Sequence, residues 1–143
     1  MSEEDLQQCL PKDITPADWY RTLNRKVFFW LTEERLFRLT SARAYRNRKH
    51  DVLEICTHSL IEAHRSKIWL CPINSGFAKF HNRRDHNTFS RICCYPYGEM
   101  KKKDQAGKPW VVELTVDYSV PDIAQHVVSV KEIQGKTTIS TIK

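Results

Sequence analysis

Short apolar runs alternate with capped helical segments along the first half of the chain. Thr15, with Pro16 at the first helical position, predicts a helix that extends to about Arg25. Residues 27–31 (Val-Phe-Phe-Trp-Leu) have the length and aromatic content of a buried strand. Thr32 and the two glutamates after it predict a second capped helix. The apolar face of that helix consists of Leu36, Phe37 and Leu39.

The rest of the chain continues this pattern. Further strands are predicted at residues 51–56, 67–71, 110–118 and 127–133, a short helix at 59–64, and an edge strand or frayed tail at 136–142. We therefore expect an α+β fold with a mixed, mainly antiparallel sheet and short helices. The 143 residues fit a single domain, with 1–14 as an N-terminal tail and 15–143 as the folded core.

Composition places the chain among intracellular globular proteins. Its apolar runs are all shorter than the roughly 18 residues of a membrane span, and its acidic start is unlike a secretory signal. The five cysteines are an odd number, so complete internal pairing is excluded. Cys56 and Cys71 fall in apolar stretches, where a thiol behaves as a small hydrophobe. We expect a reducing compartment and a cytoplasmic location.

Familiar metal and catalytic motifs are missing from the sequence. Structural zinc sites take paired ligands two to four residues apart, whereas this chain has no C-x-x-C and six scattered histidines. The sequence therefore predicts no metal site. It also has no glycine-rich phosphate loop, G-x-S-x-G or H-E-x-x-H.

Basic residues are clustered rather than spread evenly. There are 23 lysines and arginines against 17 acidic residues, a formal net charge of +6. The clusters are candidates for phosphate contact, and their alternative is a set of solvated loops. The candidate nucleic-acid-binding residues are Arg43, Arg46, Arg48, Lys49, Arg83, Arg84, Lys101, Lys102 and Lys103.

Two further features single out candidate residues. Residues 77–109 show no periodicity, and a loop of that length is more often functional than idle. Glu113 interrupts the apolar strand at 110–118, so its carboxylate either faces solvent or projects into a cleft.

The order of these blocks resembles the DarT-type DNA ADP-ribosyltransferases. That family has an aromatic strand and short helix, a strand and helix, an aromatic strand running into a turn, a long loop, and a strand containing a glutamate. The corresponding blocks lie at 27–31, 52–63, 68–74, 77–109 and 112–116, and a Val-Pro pair and a last strand follow.

A second resemblance concerns an uncharacterised bacterial family of unknown function. Its members share a W-Y-x-x-L-N-x-x-V-F-F-W-L block and an I-N-S-G block, which stand here at 19–31 and 73–76. This resemblance implies no activity.

The transferase resemblance implies an NAD-dependent activity on nucleic acid or protein. Glu113 corresponds to the catalytic glutamate, which would stabilise the oxocarbenium character that develops at the ribose. Trp30 would stack on a ring, and Asn74 would hydrogen-bond a ribose or base. Arg35 lies beside the position of the family's cofactor-binding arginine, which strict register gives to Glu34.

The resemblance also implies that the fold is incomplete. The transferases have an N-terminal region, with an H-x-T-like strand, that precedes the part matched here, and they carry T-D where this chain has Pro72-Ile73. The chain is then either a truncated enzyme, or a non-catalytic nucleic-acid-binding or regulatory module on the same scaffold. A third reading is a protein whose missing segment comes from another chain or a homodimer mate. The alternative for these single residues is a structural role: Trp30 is then a core residue, and Asn74 only shapes its turn.

Overall fold

A computed structural model describes residues 2–78, 83–99 and 111–142. The backbone clusters into two compact units. Unit 1 comprises Met1–Phe29 and Ser66–Ser119, and unit 2 comprises Trp30–Arg65 and Val120–Lys143. Among the described residues, no helix has both the length and the apolar character that crossing a bilayer requires.

Unit 1 begins with two capped helices. Helix α1 (Glu3–Cys9) is capped by the hydroxyl of Ser2, which accepts from the backbone N–H of Asp5. Helix α2 (Pro16–Asn24) starts with the predicted cap at Thr15. Asp18 completes a capping box by accepting from the backbone N–H of Thr15 at 3.1 Å.

The sheet of unit 1 has the strand order β1-β5-β3-β4. The strands are β1 (Lys26–Trp30), β3 (Ile68–Cys71), β4 (Ser90–Arg91) and β5 (Glu113–Asp117). Strand β3 pairs antiparallel with both β4 and β5, and Cys71 lies opposite Glu113. The first four residues of β5 are buried, so both of its faces are covered.

The prediction of a buried first strand is wrong. Strand β1 lies at the edge of the sheet, and its side chains alternate in exposure, with Phe28 and Trp30 on the exposed side. An aromatic run in a sequence predicts a buried strand, but a strand at the edge of a sheet has a neighbouring strand on one side only.

The core of unit 1 joins the N-terminal segment to the end of β3. Residues 1–14, predicted as a tail, bury Leu6, Cys9, Leu10 and Ile14. These side chains pack in one cluster with Trp19, Cys71, Ala78 and Phe89. Burying a large apolar side chain stabilises a fold by about 1.5–3 kcal/mol, so this segment contributes substantially to unit 1.

Unit 2 consists of a three-stranded antiparallel sheet and two helices. The strands, in the order β2-β6-β7, are β2 (Lys49–Ile55), β6 (Val127–Gln134) and β7 (Thr137–Ile142). Helices α3 (Glu33–Thr40) and α4 (Thr57–His64) precede and follow β2, and a short 3-10 helix (Ile123–His126) leads into β6. The predicted cap at Thr32 is confirmed, because its hydroxyl accepts from the backbone N–H of Arg35.

Two side chains of unit 2 differ from their predictions. Leu39 is exposed rather than part of the buried face of α3, which Leu36 and Phe37 partly supply. Cys56 is exposed at the N-cap of α4, whereas Cys71 is buried as expected. The apolar run around Cys56 ends with β2, so the thiol leaves the sheet at the strand-to-helix turn.

Candidate functional site

Unit 1 contains a pocket of about 420 Å³ beside α2. This volume lies in the range of small-molecule sites. Four aspartates against one lysine and one arginine give its lining a formal charge of −2, opposite in sign to the +6 of the chain. The lining residues are Asp13, Ile14, Asp18, Trp19, Thr22, Arg25, Lys26, Trp69, Asp85, His86, Phe89, Asp117 and Tyr118.

The floor of the pocket holds an ammonium between aromatic rings. Lys26 Nζ lies 4.8 Å from the centroid of Trp69 and 4.9 Å from that of Phe89. The same nitrogen donates to Asp117 Oδ1 at 2.8 Å, although the lysine side chain is only 7% exposed. Trp69 Nε1 donates to the other oxygen of Asp117 at 2.7 Å. Ring faces and a carboxylate together compensate a positive charge that water no longer solvates.

The rim of the pocket is acidic and solvent-accessible. Asp13 accepts from His86 Nε2 at 2.9 Å, and this hydrogen bond holds the pKa of Asp13 below its ordinary value. The hydrogen bond from the Thr15 hydroxyl likewise lowers the pKa of Asp18. Asp85 is exposed and accepts from the backbone N–H of Asn87. The lowered pKa values keep Asp13 and Asp18 ionised at neutral pH, and these carboxylates give the rim a negative potential.

Tyr118 is an exposed ring at the same rim. Its side chain is 71% exposed, and its backbone has φ of 66°, in the left-handed region. A bulky residue there is a conformational outlier that costs roughly 1–2 kcal/mol. The backbone N–H of Tyr118 donates to the carbonyl of Arg25 at 2.7 Å, which fixes the turn after β5. The ring is thus held in solvent at the edge of an acidic pocket.

A buried polar cluster lies under the turn that follows β3. Glu113 is 3% exposed, and its Oε1 accepts from the backbone N–H of Ser75 at 3.1 Å. Arg84 is 1% exposed and donates to the carbonyls of Asn74, Ser75 and Phe77. Burial, together with the negative charge of Glu113, raises the pKa of the neighbouring Cys71 thiol to about 12. This cluster holds the turn in place from beneath.

The structure gives different surroundings to the four residues predicted for catalysis and cofactor binding. Glu113 and Asn74 meet at the cluster, since Arg84 bonds the Asn74 carbonyl and Glu113 bonds the next residue. Glu113 is not among the residues that line the pocket. Trp30 is 37% exposed at the end of β1, and Arg35 is half-buried in the first turn of α3.

The candidate nucleic-acid-binding residues also differ in their surroundings. Arg43, Arg46 and Arg48 are exposed between α3 and β2. Lys49 is the exposed first residue of β2 and forms an ion pair with Glu132 at 3.1 Å. Arg83 is exposed as well. Arg84 is instead buried, with its guanidinium on backbone carbonyls, so it lacks the exposure that phosphate contact requires. Lys101, Lys102 and Lys103 lie outside the described residues.

In unit 2, three side chains that can ligate a metal come together. One ligand atom each from His64, Asp122 and His126 lies within 4.8 Å of the others. The sequence showed no such site because His64 and His126 stand on different elements, α4 and the 3-10 helix before β6. A contact of this kind depends on tertiary structure, and short ligand spacing cannot reveal it.

The pocket residues were also missed in the sequence. Asp13, Lys26, Trp69 and Asp117 come from four separate stretches of unit 1. The one available signal was a polar residue at each end of an apolar strand: Lys26 begins β1 and Asp117 ends β5. Neighbouring strands bring such end residues together.

Comparisons with known proteins give a family but no activity. A family model described as "Family of unknown function (DUF7002)" matches residues 1–127. The matched range contains every residue that lines the pocket. No curated protein and no solved structure matches the chain.

Proposed function

We propose that this chain, which belongs to the DUF7002 family of unknown function, binds a small flat cation in the pocket of unit 1. The observation that carries the proposal is the rim, where the exposed ring of Tyr118 lies with the carboxyl groups of Asp13, Asp18 and Asp85. A ring face and nearby carboxylates attract a cation that has a flat apolar body. Neither group favours an anion.

The floor supports the same ligand charge. Lys26 is already paired with Asp117, so the lysine adds little repulsion toward an incoming cation. Cation–π contacts contribute about 0.5–2 kcal/mol each, depending on desolvation. One ring contact and two or three carboxylates are therefore enough for a preference of about tenfold over a neutral ligand of the same shape, which is about 1.4 kcal/mol.

The nicotinamide end of NAD⁺ is the specific ligand we propose. Its ring is a flat pyridinium cation, and the reduced cofactor has a neutral ring of almost the same shape. Comparing these two forms therefore tests the charge of the ligand while keeping its size. 1-Methylnicotinamide, a pyridinium cation methylated on the ring nitrogen, and nicotinamide, which is neutral, make the same comparison without the phosphates.

The test is calorimetric titration of the full chain with these four compounds. We expect 1-methylnicotinamide to bind about tenfold more tightly than nicotinamide, and NAD⁺ more tightly than NADH. Asp13→Asn removes one rim charge. It should weaken binding of the cations by about threefold to tenfold and leave the affinity for nicotinamide unchanged. Asp51→Asn, at an exposed aspartate of β2 in unit 2, is the matched control. Equal affinity for charged and neutral rings would reject the proposal.

ADP-ribosyl transfer is the narrower function that the sequence predicts. In that reaction the bond from ribose C1′ to the nicotinamide nitrogen breaks, and nicotinamide leaves with the electron pair. A nucleophile of the acceptor then bonds C1′ and releases a proton. The fixed carboxylate of Glu113 supports this chemistry, because such a group stabilises the positive charge at C1′.

The position of Glu113 makes binding the better-supported proposal. Because the carboxylate is buried and does not line the pocket, transfer requires the turn over Glu113 to open. Release of nicotinamide from NAD⁺, followed by chromatography, tests this step. We expect Glu113→Gln to abolish any release that the wild type shows, with cation binding unchanged. Equal release by both proteins would remove Glu113 from the mechanism.

A further inference from the structure

A group of two imidazoles and one carboxylate lies in unit 2, and none of its residues lines the pocket of unit 1. His64 Nε2 is 2.7 Å from Asp122 Oδ1, and His126 Nε2 is 3.3 Å from Asp122 Oδ2. The histidine side chains are 11% and 6% exposed, and that of Asp122 is 29% exposed. The two rings meet edge to face, with centroids 5.8 Å apart. The imidazoles are therefore mostly removed from water, while the carboxylate remains accessible.

Ser59 is a hydrogen-bond partner of the second imidazole. Its Oγ lies 2.9 Å from His126 Nδ1 and 3.1 Å from the carbonyl of Cys56. A hydroxyl has one proton, so it cannot donate to both partners. The Cys56 carbonyl also accepts from the backbone N–H of Leu60 at 3.1 Å, so it does not depend on the hydroxyl. When the hydroxyl donates to the carbonyl, Nδ1 of His126 donates to Ser59 Oγ, and Nε2 is left for a ligand.

Without a metal, Nε2–H of His126 can donate to Asp122 Oδ2 across 3.3 Å. With Nδ1 donating to Ser59, Nε2 instead presents a lone pair toward the same carboxylate, and a cation between the two is attracted to both. Metal-binding histidines commonly show this pattern, in which one ring nitrogen ligates and the other donates to an outer polar group.

We infer that His64, Asp122 and His126 form a binding site for a divalent transition-metal ion, with Zn²⁺ as the ion of choice. Imidazole and carboxylate ligands suit zinc and neighbouring ions better than calcium or magnesium. Nε2 of each histidine and one oxygen of Asp122 are the ligand atoms. Ser59 is a positioning residue, because it orients the ring of His126 without contacting the metal.

The observed spacing agrees with zinc coordination after a small adjustment. Zinc–nitrogen and zinc–oxygen bonds of about 2.0–2.2 Å put tetrahedral ligand atoms roughly 3.4 Å apart. His126 Nε2 and Asp122 Oδ2 already have this separation. His64 Nε2 now bonds the other oxygen, so it must shift to complete the set, whose three ligand atoms all lie within 4.8 Å of one another. Three protein ligands leave the fourth position to a water molecule or another small ligand, as in catalytic rather than structural zinc sites.

The experiment is calorimetric titration of ZnCl₂ into the metal-free, tag-free full chain. It uses a Cys93→Ser/Cys94→Ser background, because these neighbouring exposed thiols could themselves take up zinc. We expect one zinc site in the parent protein. Its affinity for zinc should fall by about 100-fold in His64→Ala and by about 10- to 100-fold in Ser59→Ala. His58→Ala is the matched control, since His58 lies exposed on the same helix and pairs with Glu62. Its affinity should stay within about twofold of the parent.

A second measurement avoids variants that fail to fold. Nitrogen-15 spectra of the histidine rings in the wild-type chain report the proton on each ring nitrogen. With ZnCl₂ bound, we expect His126 to carry its proton on Nδ1, and the Nε2 signals of His64 and His126 to shift while that of His58 does not. Absence of these shifts at saturating zinc would overturn the proposal. So would a His126 that stays protonated on Nε2 at saturating zinc, or a loss of affinity in His58→Ala equal to that in His64→Ala.

Discussion

The carboxylate of Glu113 accepts a hydrogen bond from the backbone N–H of Ser75 across 3.1 Å, with both groups buried. This contact ties strand β5 to the turn that follows β3. Removing the carboxylate leaves a buried N–H without that acceptor, at a cost of about 1–3 kcal/mol. We therefore expect Glu113→Ala to lower the free energy of unfolding by that amount in urea denaturation. Glu113→Gln, which retains an acceptor oxygen, should lose less, and equal losses would contradict this account.

Arg84 and its neighbour Arg83 form a natural pair for comparison. Arg84→Met removes the donors for three backbone carbonyls and should destabilise unit 1 by about 2–4 kcal/mol. Arg83 is exposed, so Arg83→Met should change stability by less than about 0.5 kcal/mol. Thermal unfolding followed by circular dichroism measures both. A similar melting temperature for the two variants would show that the burial of Arg84 is unimportant.

The stability of unit 1 should fall at alkaline pH. Burial raises the pKa of Cys71 from 9.0 to about 12, so the thiol ionises more readily in the unfolded chain. Its stabilising contribution is therefore complete below pH 9 and is lost as pH rises through the window from 9 to about 12. The loss is at most about 1.4 kcal/mol per pH unit.

Tyr95 titrates in an overlapping range and provides a comparison. Burial raises its pKa from 10.0 to about 12. Urea unfolding between pH 8 and pH 11 should show a shallower pH dependence in Cys71→Ala than in wild type. Tyr95→Phe should flatten only the part above pH 10. An unchanged slope in Cys71→Ala would mean that the thiol is as accessible as in the unfolded chain.

Substitutions of Tyr118 should have opposite effects on stability and on ligand binding. Asparagine tolerates a left-handed backbone better than tyrosine, so Tyr118→Asn should raise the free energy of unfolding by up to about 1 kcal/mol. The same substitution removes the ring from the rim and should weaken binding of 1-methylnicotinamide by about threefold to tenfold. Tyr118→Phe retains the ring and should bind like wild type. A variant that is more stable and binds equally well would exclude the ring from the site.

The exposed basic segment between α3 and β2 tests the alternative function, nucleic-acid binding. If Arg43, Arg46, Arg48 and Lys49 contact phosphates, affinity for single-stranded DNA should fall steeply with salt, with a slope near −0.7 per contact. Replacing Arg43, Arg46 and Arg48 by glutamine should then reduce the magnitude of the slope by about two. Fluorescence anisotropy at several salt concentrations measures it. A response that does not depend on salt would exclude phosphate contact by this segment.

Local signals in the sequence predicted local structure well. The caps at Thr15 and Thr32 begin helices where expected, and the strands at 51–56 and 67–71 are present within a few residues. Cap chemistry acts over three or four residues, and such signals are complete within the segment itself.

Burial and the sites depended on contacts that the local pattern does not contain. The aromatic run of β1 gave no sign that it lies at a sheet edge, and Leu39 looked like a core residue although it is exposed. Glu113 was singled out because a charge in an apolar strand is unusual, but its bond to Ser75 links residues 38 apart. The histidine group likewise joins His64 to Asp122 across 58 residues.

The division of the chain also sets an order for its synthesis. Residues 66–119 of unit 1 are inserted between the two segments of unit 2. The ribosome therefore synthesises the last residue of unit 1 before it reaches β6, which begins at Val127. Until then β2, which ends at Ile55, cannot pair with β6. A nascent chain stalled after Ser119 contains every residue of unit 1. Its β2, which belongs to unit 2, still lacks the strand with which it forms backbone hydrogen bonds.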